Sequence, residues 1–151
     1  MLWVNHPARL ADAAYKPVQL ATAARCGLNV PETAITNDPD VVRQFVKGGK
    51  TVHASSATAY IDWRTDYDSL NYRLIESPPD VVEGVRSLMT SMSLVYGSLD
   101  FVVQPDGTWT FLEINAGGQY GWLEDALEDG RGAPLTDQLA DLLAGVHHEH
   151  R

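Results

Sequence analysis

The sequence predicts a mixed α/β fold (α/β or α+β), with a mixed or antiparallel sheet of about four to five strands packed by three to four helices. Two segments carry this prediction. Residues 81–92 repeat apolar side chains at helical spacing. Residues 98–115 hold two β-rich runs around the turn sequence PDGT. A chain of 151 residues, 44% apolar and 21% charged, is long enough to bury one core.

The first 50 residues predict a helix, a strand and a second helix. Helical spacing runs from about residue 11 to residue 25, along the apolar stripe Leu10, Ala13, Ala14, Val18, Ala21 and Ala24. Pro17 fits the first turn of a helix that begins there, and Gly27 is a good helix end. NVPETAIT then predicts a short strand. In TNDPDVVRQFVKGGK, Asn37 or Asp38 can cap the second helix, which the glycine pair ends.

The remaining residues alternate strands and helices. TVHASSATAY predicts a strand, and the polar, aromatic stretch after it predicts a loop with a short strand near residues 72–75. Asp80 can cap the strongest helix, whose buried stripe is Val81, Val82, Val85, Leu88, Met89 and Met92. After the hairpin, APLTDQLADLLAGV predicts a final amphipathic helix.

The composition argues against several classes of protein. The net charge of −9 argues against non-specific nucleic-acid binding, which needs clustered Lys and Arg. Cys26 is the single cysteine, so it forms no internal disulfide, and we expect a small buried hydrophobe in a cytoplasmic protein. No apolar run approaches the ~20 residues of a membrane span. The tail HHEHR favours a solvated terminus over a metal site.

The hairpin raises a question of chemistry, because it carries acids within β-rich sequence. Side chains alternate along a strand, so Glu113 and Asn115 share one face, and Leu112 and Ile114 share the other. If the hairpin closes at PDGT, Asp100 lies opposite this segment. Such hard oxygen ligands suit Mg²⁺. The alternative is a Glu113 that faces solvent on an edge strand.

Several segments, in the same order, resemble a known family. The sequence DFVV…DGTWTFLEINAGGQYGWLED is similar to the C-terminal end of the ATP-grasp fold, and most similar to the microviridin-type (graspetide) ligases that cross-link ribosomally made peptides. The segments VNHPARLADAAYKPVQLATAARCGLNVPETAITNDPDVV, VHASS…IDWRTDYDSLNY and PLTDQLADLL resemble further parts of these enzymes. The resemblance covers nearly the whole chain and implies a partial ATP-grasp fold, with ATP and Mg²⁺ as cofactors.

The resemblance assigns roles to five residues. Asp100, Glu113 and Asn115 match the family's Mg²⁺ ligands, and Asn115 would also bind the nucleotide. Lys16 matches a lysine that approaches the nucleotide in several ATP-grasp enzymes. Arg64, in the D-W-R signature, would be the catalytic residue that neutralises phosphate or an acyl-phosphate, with a solvated or structural arginine as the alternative.

Other positions also match the family, but they are assigned weaker roles than the five residues above. Asp62 and Trp63 are interpreted as structural supports of the D-W-R signature, and Gln119 as a residue that could orient substrate. Where the family usually has proline after the asparagine, this chain has Ala116. Lys47 and Lys50 stand near the place of the family's phosphate-gripping lysine, but their glycine neighbours favour solvated side chains.

Compared with the family, the chain is expected to be short. It lacks a counterpart of the N-terminal domain and of most of the central ATP-binding subdomain. We therefore expect one truncated ATP-grasp domain over residues 1–151, with residues 1–46 as the leading helix and strand region and residues 51–151 as the C-terminal subdomain.

Two functions follow from the resemblance. The first is an ATP-dependent carboxylate–amine or carboxylate–hydroxyl ligase that acts on a precursor peptide through an acyl-phosphate and is impaired by truncation. A homo-oligomer or a partner protein would supply the missing subdomain. The alternative is a non-catalytic ATP-grasp remnant that binds a peptide or a partner. Neither involves nucleic acid or a membrane.

Overall fold

The described part of the chain is mixed helix and sheet. The computed structural model describes residues 3–41, 45, 75–118 and 135–145. Two compact units divide the chain, one made of residues 1–31 and 74–151, the other of residues 32–73. The predicted division between residues 46 and 51 falls outside the described residues, as does the predicted strand at residues 51–60. The mixed fold class predicted from the sequence is confirmed.

The larger unit begins with two helices where one was predicted. Helix α1 covers Pro7–Ala13 and helix α2 covers Lys16–Arg25. Pro17 explains the break, because it lacks an N–H and its ring would clash with the carbonyl four residues earlier. It lies in the first turn of α2, as predicted. Gly27, at φ +83°, follows the end of α2 and was the predicted stop.

Of the apolar stripe at helical spacing in this region, Ala13 is buried in α1, but the members on α2 do not form the buried face of that helix. Val18 is 43% exposed, whereas the buried residues of α2 are Gln19, Thr22 and Ala23. The apolar pattern failed because two of these three residues are polar, and Gln19 is buried with its hydrogen bonds made.

Helix α3, Pro79–Ser91, is the predicted central helix with a different start. Asp80 does not cap it: Pro78 occupies the cap position, and Asp80 lies in the first turn. The predicted stripe holds, since Leu88 and Met92 are buried and Val81, Val85 and Met89 pack against the core. Helix α4, Leu135–Ala144, is the predicted last helix.

Strands β1 (Ser98–Val103) and β2 (Trp109–Asn115) form the predicted antiparallel hairpin. Its turn holds a hydrogen bond of 2.9 Å from the Thr108 N–H to Asp106, which lowers the pKa of that carboxyl. The strand predicted at residues 29–36 is reduced to a parallel bridge between Asn29 and Thr110. Of the predicted strand near residues 72–75, only Ile75 is described, outside any strand.

A β-bulge in the hairpin changes which side chains reach the core. The register pairs Asp100 with Glu113 and Phe101 with Phe111, which leaves Leu112 without a partner. Phe111 is fully buried beside Leu88, and Ile114 is 2% exposed. Leu112 is 39% exposed, so the prediction that it shares the face of Ile114 is wrong. Simple alternation fails at this residue because the bulge adds one residue to β2.

In the smaller unit, the described residues include the start of the second predicted helix. Residues 39–41 and residue 45 are helical. The Asp38 carboxylate accepts a hydrogen bond of 2.8 Å from the Asp40 N–H, which is the N-cap contact predicted for Asn37 or Asp38. None of the helices in the described residues has the length and apolar content needed to cross a lipid bilayer.

Candidate functional site

The hairpin brings the predicted acids onto one face. Asp100 and Glu113 are direct cross-strand partners, and Asn115 is paired with Ser98 two positions along. Direct partners project to the same side of a sheet, typically with ~5 Å between their Cβ atoms. Asp100 and Asn115 are exposed, and the Glu113 side chain is 36% exposed. The two carboxylates therefore face solvent together, next to an amide.

Lys16 reaches the same place from α2. Its ammonium group forms an ion pair with the Glu113 carboxylate. As the first residue of α2, Lys16 lies at the positive end of the helix dipole, where an isolated cation is disfavoured. The Glu113 carboxylate offsets this. Asp100, Glu113 and Lys16 together carry one net negative charge, which would attract a multivalent cation.

Two buried amides hold the segments that carry these side chains. Gln19, 3% exposed, donates to the Ile114 carbonyl at 2.9 Å and accepts from the Ile114 N–H at 3.0 Å. Asn5, also 3% exposed, donates to the carbonyls of Tyr96 and Ala116 and accepts from the N–H groups of Val95 and Tyr96. Neither Gln19 nor Asn5 was predicted from the sequence to have this role.

A cavity of about 340 Å³ opens beside the end of β2. Its lining includes Lys16, Gln19, Glu113, Asn115 and Gly117. The cavity therefore combines one cation, one carboxylate and two amides at a single opening, with Asp100 across the strand pair from Glu113. A small anionic group that brings its own cation suits such a lining.

The turn after β2 fixes the direction of Asn115. The Asn115 side-chain oxygen accepts a hydrogen bond of 3.1 Å from the Gly117 N–H. Its backbone carbonyl accepts another from the Gly118 N–H, also at 3.1 Å. A Cβ atom on Gly118 would lie 2.8 Å from the Ser98 Cβ, so this close approach to β1 requires glycine. Gly117 and Gly118 thus form the turn that follows β2.

The donor set fits a hard divalent cation. Two carboxylates and one amide oxygen are ligands that Mg²⁺ accepts, and Mg²⁺ usually keeps positions for water and phosphate oxygens. Within the described ranges, no three His, Cys, Asp or Glu side chains come close enough to form a metal cluster by themselves. The set therefore matches a cation shared with a ligand better than one enclosed by protein. Asp100, Glu113 and Asn115 would hold it.

Other predicted site residues cannot be placed against this geometry. Arg64, the predicted catalytic residue, lies outside the described residues, together with Asp62, Trp63 and Gln119. Lys47 and Lys50 lie outside them as well. Their roles stay predictions. Lys16, Asp100, Glu113 and Asn115 are the predicted site residues that the structure describes, and it places Lys16, Glu113 and Asn115 at one cavity.

Several solved structures share the overall fold of this chain. The macrocyclase MdnB from Microcystis aeruginosa MRC is 26% identical, with a TM-score of 0.72, over 97% of this chain and 60% of its own. A RiPP-associated ATP-grasp ligase from Chryseobacterium gregarium, in complex with ADP and a leader and core peptide, is 20% identical, with a TM-score of 0.81, over 96% and 63%. The ATP-grasp ligase PsnB, complexed with a minimal precursor, Mg and ADP, is 22% identical, with a TM-score of 0.68, over 95% and 61%.

The chain thus spans about three fifths of the length of these structures. No protein-family model matches it, and no curated protein sequence matches it significantly. The structural similarity covers between 95% and 97% of this chain. The chain therefore has part of the ATP-grasp fold, in the form seen in the macrocyclase MdnB and in RiPP-associated ATP-grasp ligases.

Proposed function

We propose that this chain carries the metal and phosphate part of an ATP-dependent ligase site that acts on a peptide. The observation that carries the proposal is the pairing of Asp100 with Glu113 on one face, with Asn115 beside them and the Lys16 ammonium on Glu113. The solved structures support it, because one neighbour is in complex with ADP and peptides and another with Mg, ADP and a precursor.

Each side chain has a distinct role in the proposal. Asp100, Glu113 and Asn115 would hold Mg²⁺, which would supply positive charge against the ATP phosphates. Lys16 exchanges its contact with Glu113 for a phosphate oxygen, which a partly exposed lysine can reach by rotating its flexible stem. Arg64, from the D-W-R signature, binds the anionic acyl-phosphate.

The reaction in this proposal has two steps. A peptide carboxylate attacks the terminal phosphorus of ATP, and the bond to the leaving ADP breaks as the acyl-phosphate forms. An amine or hydroxyl of the peptide then attacks the acyl carbon, phosphate leaves, and the nucleophile loses its proton. Positioning and charge stabilisation supply most of the catalysis in phosphoryl transfer, so correct placement of the acids is the main requirement.

Calorimetric titration of the chain with ATP tests the proposal. We expect binding of one ATP in the presence of Mg²⁺, and a loss of affinity of roughly ten-fold or more when a chelator removes the metal, because phosphate then faces two uncompensated carboxylates. Equal binding with and without Mg²⁺ would contradict the assigned metal site. Absence of Mg²⁺-ATP binding would refute the nucleotide site and favour the non-catalytic peptide- or partner-binding module.

A further inference from the structure

Gln19 is a buried polar residue that the proposed chemistry does not use. We propose that it is a positioning residue, which fixes Glu113 and Asn115 on one face of β2 by holding the backbone of the residue between them. The inference rests on the proposed function, because it concerns the same acids. Its evidence is independent of them and lies in the hydrogen bonds of a single side chain.

The Gln19 side-chain amide makes the pair of hydrogen bonds to Ile114 that the backbone of a neighbouring strand would make. Its nitrogen donates to the Ile114 carbonyl at 2.9 Å, and its oxygen accepts from the Ile114 N–H at 3.0 Å. Both backbone groups of Ile114 therefore point away from β1, toward α2. The second hydrogen of the Gln19 nitrogen goes to the Ala13 carbonyl at the end of α1. One side chain thus ties the end of α1 and the first turn of α2 to β2.

The bulge explains why β2 needs this support. Glu113 lies directly after Leu112, which has no cross-strand partner. At a bulge, strand pairing fixes the direction of the side chains less firmly than in a regular ladder. A slip of one residue would send Glu113 and Asn115 to the core face and Ile114 to solvent. Hydrogen bonds fix both sides of the bulge: the Phe111 N–H donates to the Asn29 carbonyl at 2.8 Å, and Gln19 holds Ile114.

The same helical turn carries Lys16 and Gln19. Residues three apart on a helix lie on one side of it. The Lys16–Glu113 ion pair and the Gln19 hydrogen bonds to Ile114 therefore depend on the position of the same helical turn. A change at position 19 therefore reaches both the carboxylate and its cation. A substitution that only loosened the core would not have this effect.

The test compares Gln19→Met with a control that disturbs the core elsewhere. Gln19→Met keeps the length and burial but removes all three hydrogen bonds. Gly84→Ala places a Cβ within 2.6 Å of the Leu28 side chain, away from the acids. We expect Gln19→Met to weaken Mg²⁺-ATP binding about ten-fold, in the range seen when a partner that orients a metal ligand is removed. We expect Gly84→Ala to leave it within two-fold.

Nuclear magnetic resonance gives a readout that does not depend on nucleotide. In Gln19→Met, the Ile114 amide should exchange with solvent about ten-fold faster than in Gly84→Ala at equal global stability, because its acceptor is gone. The nuclear Overhauser contact between the Lys16 and Glu113 side chains should also weaken. Gln19→Asn, which keeps a neutral amide on a side chain one methylene shorter, replaces Gln19→Met if that variant does not fold, and should show a smaller loss.

The outcomes separate this inference from the proposed function. Unchanged affinity in Gln19→Met, with a faster Ile114 amide, would reduce Gln19 to a structural residue and overturn the inference. Loss of affinity in both Gln19→Met and Gly84→Ala would overturn it too. If the parent chain binds no Mg²⁺-ATP, the proposed function fails, and a retained contact between Lys16 and Glu113 in Gln19→Met would then overturn the positioning role.

Discussion

Replacing both hairpin acids, by Asp100→Asn with Glu113→Gln, should lower the affinity for Mg²⁺-ATP by roughly a hundred-fold or more, because Mg²⁺ then loses both charged ligands. The substitutions keep the shape of each side chain. They also remove a like-charge pair at directly opposed positions, so the free energy of unfolding should not fall substantially. Calorimetry with Mg²⁺-ATP and urea unfolding of the same samples measure both quantities.

Glu83→Gln is the matched control for this variant. Glu83 is 71% exposed on α3, and its ion pair with Arg86 is loose at 3.9 Å. Its substitution changes the net charge without touching the hairpin, so the affinity should stay within two-fold of the parent. Binding by the double variant within about three-fold of the parent would show that the acids do not hold the metal, since loss of ligand charges must appear in affinity.

The second large effect concerns the bulge that brings Asp100 opposite Glu113. Phe111→Ala should lower the free energy of unfolding by about 3–5 kcal/mol, because Phe111 is fully buried and packs edge-on against Phe101 at 5.6 Å. Leu112→Ala, at the next residue, should cost less than about 1 kcal/mol, because its side chain is 39% exposed. Urea unfolding measures the difference.

The comparison also distinguishes two registers of β2. In a strand without the bulge, Leu112 would share the core face of Ile114, and Phe111 would lie on the outer face with Glu113. Leu112→Ala would then cost more than Phe111→Ala. Such a reversal would contradict the observed pairing and with it the placement of the acids. Phe111→Leu, which restores most of the apolar volume, should recover over half of the lost stability.

Much of the fold follows from local sequence signals. The helices at residues 79–91 and 135–144 carry strong periodicity, and the hairpin has Asp-Gly turn chemistry between two β-rich runs. Pro17 and Gly27 mark the bounds of α2 through backbone restrictions that act within one or two residues. These signals are local, so they need no knowledge of the tertiary contacts.

The errors have a tertiary origin. The buried face of α2 was misplaced because Gln19 and Thr22 are polar, and only the packed structure shows that hydrogen bonds compensate their burial. Leu112 was assigned to the core because strict alternation ignores a bulge, which depends on the pairing of two strands. Asp80 was assigned as a cap, but Pro78 already supplies the extended backbone at the cap position.

The acidic residues of the candidate site could be predicted from the sequence. The residues that hold them in place could be predicted less well. Turn chemistry sets the pairing as far as Phe101 with Phe111 and so brings Asp100 near Glu113, whereas their direct pairing depends on the bulge. The approach of Lys16 came from the resemblance to a family, since the two residues of its ion pair are 97 positions apart. Of the two supporting residues Gln19 and Asn5, only Gln19 shows a signal in the sequence, and the signal is weak. It lies three residues after Lys16 and four residues before the buried Ala23, so the three share one side of α2.

The most direct test of the metal site is paramagnetic relaxation with Mn²⁺ in place of Mg²⁺, in the presence of ATP. We expect sub-stoichiometric Mn²⁺ to broaden the amide signals of Asp100, Glu113 and Asn115 first, and Asp100→Asn with Glu113→Gln to abolish this broadening. Broadening centred on the histidines of the tail, with these three signals unchanged, would contradict the claim that the hairpin seats the metal of an ATP site.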